Sequence, residues 1–411
     1  MRPRPIRPAA IGAALAIALV AGAALPAVPA LGAPKSACRI SLAGPLPSDP
    51  SDVVRDLASA VAQAASGATL RVRGRCTGDA TITKDLTIVG VRPRGWVAPQ
   101  LRGSGTDAVL RIFDVTVGIS RIAIRGGTGV AAGPTTYGGG IYTAGTLTLT
   151  SVDVVGNSAT AGGGIANVST GTLTLRGSTR IRGAADGGGV YSEGTLVVGG
   201  RTLITGNQAS TTGGGIRTVG SVEIRDDAQV VDNTAGSEGG GIWGGIGGSV
   251  VVRHRAVVRG NEAPTGGGLY LLGSTLALHD EARLIGNAAL TGSGGGVLVV
   301  DAAVTMDGAS RIAGNTAVGD GGGIWTNAAV TMSGTSRIVG NTGNIGGGVV
   351  LQSAAGILTM SAGSRIRLNT ATTAPYAGGV YVGTDASLAG SAVCGTTIEG
   401  NTPNDCYPPP S

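Results

Sequence analysis

Asp226, His254 and Asp280 occupy the same place in three successive repeats of this chain, each seven residues before a recurring asparagine. Two carboxylates with an imidazole between them can do acid–base hydrolysis, one protonating a leaving oxygen while the other activates water. If successive repeats stack at the strand spacing of about 4.8 Å, the two aspartates lie about 9.6 Å apart. That is close to the upper end of the roughly 6.5–9.5 Å separation of the carboxylates in inverting glycosidases. Arg225, Arg253, His279 and Asp307 stand alongside. The same place in other repeats reads Gly177, Gly200, Gly308 and Gly334, and Gly, Asp and His all tolerate positive φ at a tight turn. One place later Arg201, Asp227, Arg255 and Glu281 alternate in sign, the pattern of an exposed ion-pair ladder. The corner reading is the simpler one, so no catalytic set is assigned.

Two further stripes could bind. Tyr142, Tyr191, Trp243, Tyr270, Trp325 and Tyr381 share one register, and they are six of the ten Tyr and Trp residues in the chain. Alternation along a strand turns that register outward. Aromatic faces in a row suit stacking on the rings of an extended polysaccharide, or a protein interface; they equally suit shielding of a glycine-rich backbone. Arg283, Arg311, Arg337 and Arg365 form a second row. Stacked like charges repel, so this is either an anion-binding stripe or a solubilising surface. The two histidines and the scattered aspartates lack metal-ligand spacing, and neither a metal nor a cofactor is expected.

The elements that must carry these side chains are set by a repeat. The 76 glycines of the 411 residues are periodic: Gly-Gly-Gly followed by Ile, Val or Leu begins at Gly138, Gly162, Gly187, Gly213, Gly239, Gly266, Gly294, Gly321 and Gly346, with a shortened form at Gly378. Between these marks runs an aliphatic-x-Gly-Asn mark, ending for example at Asn207, Asn233, Asn261, Asn287 and Asn315. One unit, near Ala184, has lost its Asn. The step is about 27 residues, the length of a solenoid coil. Three places before the Asn the residue is always aliphatic, from Val154 to Ile398, and the places nine and eleven before it are apolar as well. That period of two marks strands with one buried face, three short ones per unit. A single coil cannot bury its face alone, so coils must stack, like residue over like residue. The prediction is an all-β, right-handed parallel β-helix over residues 68–405, about 12 coils of about 27 residues and on the order of 55 to 60 Å long. The Asn should form a corner ladder, and the glycines should supply positive φ.

Both ends of such a rod need covers. Within residues 31–67, "SDVVRDLASAVAQAASG" predicts a capping helix, with Ser51 or Asp52 as N-cap, Val54, Leu57, Val61 and Ala64 on one stripe, and Gly67 as a stop. Residues 406–411 read as a tail. Cys38 and Cys76 flank one end and Cys394 and Cys406 the other, which in an oxidising compartment predicts one disulfide per end. Arg2, Arg4 and Arg7 precede an apolar run of about fifteen residues and then small residues, the grammar of a signal peptide over residues 1–30, cut after Ala30 or, as second choice, Ala33. No later stretch reads as a transmembrane segment. Removing the leader takes away three arginines and no acids, which lowers the excess of 30 basic over 24 acidic residues. With few aromatics and no basic cluster, a nucleic-acid partner is not expected.

The two marks resemble the GGA(I/L) and Phe-x-x-Asn repeats of chlamydial-type polymorphic outer-membrane proteins over residues 136–403, although Ile, Val or Leu replaces Phe and no barrel-type segment follows. "LASAVAQAASGATLRVRG" and "ATITKDLTIVG" are similar to the first coils of secreted pectin-lyase-like proteins. The resemblance implies an exported passenger-type β-helix, commonly an adhesin or surface protein. Pectin-degrading members use aspartates and a histidine on a coil face, but their Asn-Thr-Asp, Asp-Asp, Gly-His-Gly and Arg-Ile-Lys set is absent here apart from Asp226-Asp227. The expectation is therefore a secreted or cell-surface, non-catalytic protein that binds an extended glycan or a surface protein. The alternatives are a polysaccharide hydrolase or lyase and a purely structural rod.

Overall fold

The computed structural model describes residues 35–42, 54–169, 171–361 and 363–408. The expected signal peptide lies outside them, as do residues 409–411. The chain is a parallel β-solenoid of about 12 turns. Three long sheets run its length, each coil adding one strand to each: a first sheet of 14 strands from Arg39–Leu42 to Ser387–Gly390, a second of 13 from Arg75–Thr77 to Ile398–Glu399, and a third of 13 from Ala80–Ile82 to Cys406–Tyr407. One coil in the middle shows the plan. Ser249–Val252 lies in the first sheet, Val257–Arg259 in the second and Leu269–Leu272 in the third, and each pairs in parallel with its equivalent one coil on.

Period-two alternation sets the interior. In the first sheet Leu173, Leu196, Val222, Val250, Leu276, Val304, Val330 and Leu358 stack in register, each at most 1% exposed. Val230, Val258, Leu284, Ile312, Ile338 and Ile366 form the matching column of the second sheet. Each such side chain contributes about 1.5–3 kcal/mol relative to leaving it in water, and none could do so in an isolated coil.

The corner after the second sheet is polar, buried and fully bonded. Asn207, Asn233, Asn261, Asn287, Asn315, Asn341 and Asn369 are wholly buried. Each donates from Nδ2 to Oδ1 of the next at 2.9–3.0 Å and also to a backbone carbonyl of the preceding coil. The same Oδ1 accepts the backbone N–H of the Asn before it. At the last rung Asn401 donates to Asp405 Oδ1 at 3.0 Å, so the ladder ends on a pure acceptor.

The glycine triplets do two jobs rather than one. The first glycine has positive φ, as at Gly266 (61°), except in the triplet from Gly187, where it is Gly188 (73°). The other two lack it and are needed for space. A Cβ on Gly267 would lie 2.3 Å from the backbone of Ala288, and one on Gly268 would lie 2.4 Å from Gly296 O, both one coil on.

Three boundaries differ from the sequence expectation. A fourth, seven-stranded sheet of two-residue strands, Gln208–Ala209 to Thr370–Ala371, follows the Asn corner. The capping helix spans Leu57–Gln63, with Asp56 as N-cap accepting from Ser59 N at 2.7 Å; Val54 instead bridges to Ile40. Asp56 takes the N-cap because its carboxylate reaches the orphan N–H of the first turn, and Ser51 and Asp52 lie outside the described residues. At the far end Cys406–Tyr407 is not tail but the last strand of the third sheet. The helix buries Leu57, Ala60 and Val61 in the core, and Lys84 Nζ holds its C-terminal carbonyl at Ala64 (2.8 Å). An antiparallel strand, Arg39–Leu42, covers the first coil beside it. Cys38 is bonded to Cys76 and Cys394 to Cys406, one disulfide at each end.

Candidate functional site

Asp226, His254 and Asp280 are stacked at the corner between the first and second sheets, with φ of 62°, 57° and 57°. Gly177, Gly200, Gly308 and Gly334 have φ of 60–65° at the same corner, so the position selects for backbone conformation. The side chains then act as corner staples. Asp226 Oδ2 accepts the N–H of Gly200 at 2.8 Å and Asp280 Oδ2 accepts that of His254 at 3.0 Å, each reaching back one coil. His254 Nδ1 lies 3.2 Å from Asp226 Oδ1 and 3.3 Å from Asp226 N, while Nε2 is 3.9 Å from Asp280.

This geometry is poorly suited to hydrolysis. The three side chains are 43–55% exposed on an open edge, and the Gly200 N–H, helped by His254 and Arg225, holds the Asp226 carboxyl below its ordinary value. A general acid for glycoside cleavage needs the opposite shift. Asp226 therefore stabilises the fold above its unfolded pKa and ceases to as pH falls through its lower folded pKa. Between about pH 5 and pH 3 the parent protein should lose more thermal stability than Asp226→Asn, as thermal melts at stepped pH would read. His254→Gly should leave stability within about 1 kcal/mol in denaturant unfolding, since glycine is at home at φ 57°.

Of the alternating charge series, Arg255 pairs with Asp227 at 2.8 Å, while Glu281 turns to Arg283 of its own coil at 3.6 Å. His279 Nδ1 meets Asp307 at 2.8 Å, and Arg253 pairs with Glu223. Arg283, Arg311, Arg337 and Arg365 do stack in register on the second sheet. Arg283 and Arg311 are exposed; Arg337 and Arg365 are half-buried, and Arg365 donates to Ser364 O at 2.8 Å.

The aromatic register is the outer face of the third sheet, and its members differ in setting. Tyr142 packs on Phe113 (centroids 5.6 Å) and Tyr191 on Tyr137 (5.7 Å), beside a hairpin of Val130–Ala132 and Thr135–Tyr137. Tyr191 is only 9% exposed. Burial, together with its hydrogen bond to Glu193 Oε1 at 2.8 Å, raises its phenol above the usual range and keeps it a donor. Trp243, Tyr270 and Trp325 are half-buried. Tyr381 stacks on Tyr407 (5.9 Å, 12° between planes) with Tyr376 edge-on, a separate cluster at the last coil.

Arg217 completes the middle of this face. It stands in register between Tyr191 and Trp243, its guanidinium 5.6 Å from one ring centroid and 5.3 Å from the other. In sequence it reads as a gap in the aromatic row; its flanks, Tyr191 one repeat before and Trp243 one repeat after, are the signal that identifies it. Tyr191, Arg217 and Trp243 thus form a π–cation–π stack on three consecutive coils, worth up to about 2 kcal/mol per desolvated cation–π contact, and Tyr270 follows in register on the next coil. Trp243 Nε1 donates to Glu238 at 2.9 Å, which fixes the ring. Ile246 (77% exposed) and Val219 (40%) stand at the adjoining turn. Beyond Tyr270, Leu298 separates Trp325.

No group of three or more potential metal ligands and no helix long and apolar enough to cross a membrane occurs among the described residues. No protein-family model, curated protein or solved structure matches the chain, so the likeness to polymorphic outer-membrane and pectin-lyase-like proteins rests on the repeat motifs alone.

Proposed function

We propose that the protein is an exported rod, secreted or held at the cell surface, that binds an extended glycan along the outer face of its third sheet without cleaving it. The observation that carries this reading is the outward row of Arg217, Trp243 and Tyr270, one residue per coil, with the buried Tyr191 ring packed against Arg217. With Trp325 it spans four coil steps, about 19 Å, which suits a polymer several rings long. Glu193 and Glu238 anchor the platform through Tyr191 and Trp243, and their charges disfavour carboxylated chains, so a neutral glycan is the better fit. The exposed Ile246 and Val219 beside Trp243 favour a second occupant, a protein surface.

Replacing Trp243, Tyr270 and Trp325 together by Ala is expected to weaken retention on neutral polysaccharide at least about thirty-fold, the equivalent of about 2 kcal/mol. Affinity electrophoresis in gels cast with neutral glucans, xylans or mannans measures this directly. Unchanged migration of the triple variant would remove the third sheet from the account. Binding that soluble oligosaccharides fail to displace would favour the protein partner.

A further inference from the structure

A cavity of about 780 Å³ lies against the first coils, on a different edge of the rod from the aromatic platform. We propose that it binds a compact organic anion of sugar size, carrying a carboxylate, sulfate or phosphate. The cavity exists because one corner is enlarged. Nine residues, 91–99, connect Leu86–Gly90 to Gln100–Arg102, where the equivalent corner between Ser249–Val252 and Val257–Arg259 takes four. Val91, Arg92, Ala98 and Pro99 of the longer turn line the cavity, together with apolar Val89 and Ile122. The volume falls within the roughly 300–1,000 Å³ of small-molecule sites.

Three exposed arginines, Arg71, Arg92 and Arg121, are among the residues that line this cavity. Arg92 Nε donates to Trp96 O at 3.3 Å, and Arg71 and Arg121 have no side-chain bond or ion pair among the described residues. The one carboxylate in the lining, Asp153, is held by Arg182 through two bonds at 3.0 and 2.8 Å. Arg71 and Arg121 therefore have no carboxylate partner among the described residues, and the apolar side chains beside them suit the face of a sugar ring.

Arg121 carries the argument furthest. It has φ of 55° in the same corner series that continues as Ser151, Gly177, Gly200 and Asp226. Gly has no Cβ to strain there, and Ser and Asp can bond the nearby backbone. Arginine has neither advantage, so its presence costs stability that glycine would not. An unfavourable backbone state beside this cavity supports a binding role for the Arg121 side chain.

The test is calorimetric titration of the oxidised protein with glucuronate, N-acetylglucosamine 6-sulfate, glucose 6-phosphate, inorganic phosphate and glucose. At least one acidic sugar should bind one to one, with affinity falling as salt rises, at least ten-fold more tightly than inorganic phosphate, and glucose should not bind. Which acid binds identifies the anionic group. Arg121→Gly should keep or raise the melting temperature while weakening binding at least ten-fold, and Arg71→Ala added to it should abolish binding. The Trp243, Tyr270 and Trp325 triple variant should bind the anion normally, which separates this site from the platform. Absence of binding by every acidic sugar, binding undiminished in the arginine variants, phosphate binding as tightly as the sugars, or loss in the aromatic variant would each overturn the assignment.

Discussion

Gly267→Ala is expected to lower stability by at least about 4 kcal/mol, or to prevent folding altogether. The added methyl would sit 2.3 Å from two backbone atoms of Ala288 and 2.6 Å from a third. Backbone held between coils above and below has nowhere to move. Gly286 provides the contrast, because its φ is 59° with nothing within 4 Å of an added Cβ. Gly286→Asn should cost less than about 1 kcal/mol, since Asn tolerates that conformation. Denaturant unfolding of the two variants side by side separates a glycine needed for space from one needed for φ. Equal losses would show that inter-coil contact does not govern the triplets.

Asn287→Ala is expected to cost about 3–5 kcal/mol. It strips the backbone N–H and Nδ2 of Asn261 of their shared acceptor and the carbonyl of Val258 of its donor, and it takes one donor from Asn315. All these groups are buried, so water cannot replace what is lost. Asn287→Asp should not rescue it. A carboxylate accepts from Asn261 but cannot donate to Val258 O or Asn315 Oδ1. The chain itself uses aspartate only where nothing follows, at Asp405. A loss under about 1 kcal/mol in either variant would mean that the ladder is not a determinant of stability.

The parts of the fold legible in the sequence are those where stacking forces one residue type into one register. The aliphatic columns, the Asn ladder and the paired cysteines at each end are of this kind. So is the corner holding His254, because Gly and Asp share its place in neighbouring repeats. The fourth sheet is hard to read from sequence although its mark is present: two residues after the Asn stand Ala209, Ala235, Ala263 and Ala289. A two-residue strand is too short to show alternation, and alanine there reads as loop rather than as a side chain small enough to sit against the glycine triplets. The helix start is ambiguous in sequence because several polar residues compete for the N-cap, and only geometry shows that Asp56 accepts from Ser59 N.

The site was less legible than the scaffold. Tyr191, Trp243 and Tyr270 share a register in sequence, but alternation alone does not tell a half-buried ring from one covered by a hairpin inserted at residues 130–137. Arg217 looks like an interruption until its guanidinium is seen between two rings. The arginines of the N-terminal cavity lie in coils that precede the regular glycine and Asn marks, so sequence spacing does not reach them, and only strand pairing puts Arg121 in line with Ser151.

The central claim is that the third sheet's outer face binds a neutral extended glycan and that the charged corner does no chemistry. The most direct test incubates the oxidised protein with a panel of neutral and acidic polysaccharides and follows retention and new reducing ends together, in the parent protein, in the Trp243, Tyr270 and Trp325 triple variant, and in Asp226→Asn with His254→Ala. The account predicts retention on a neutral polymer that the triple variant loses, with no new ends in any of the three proteins. New ends that disappear in the Asp226 and His254 variant, or retention indifferent to the aromatic substitutions, would contradict it.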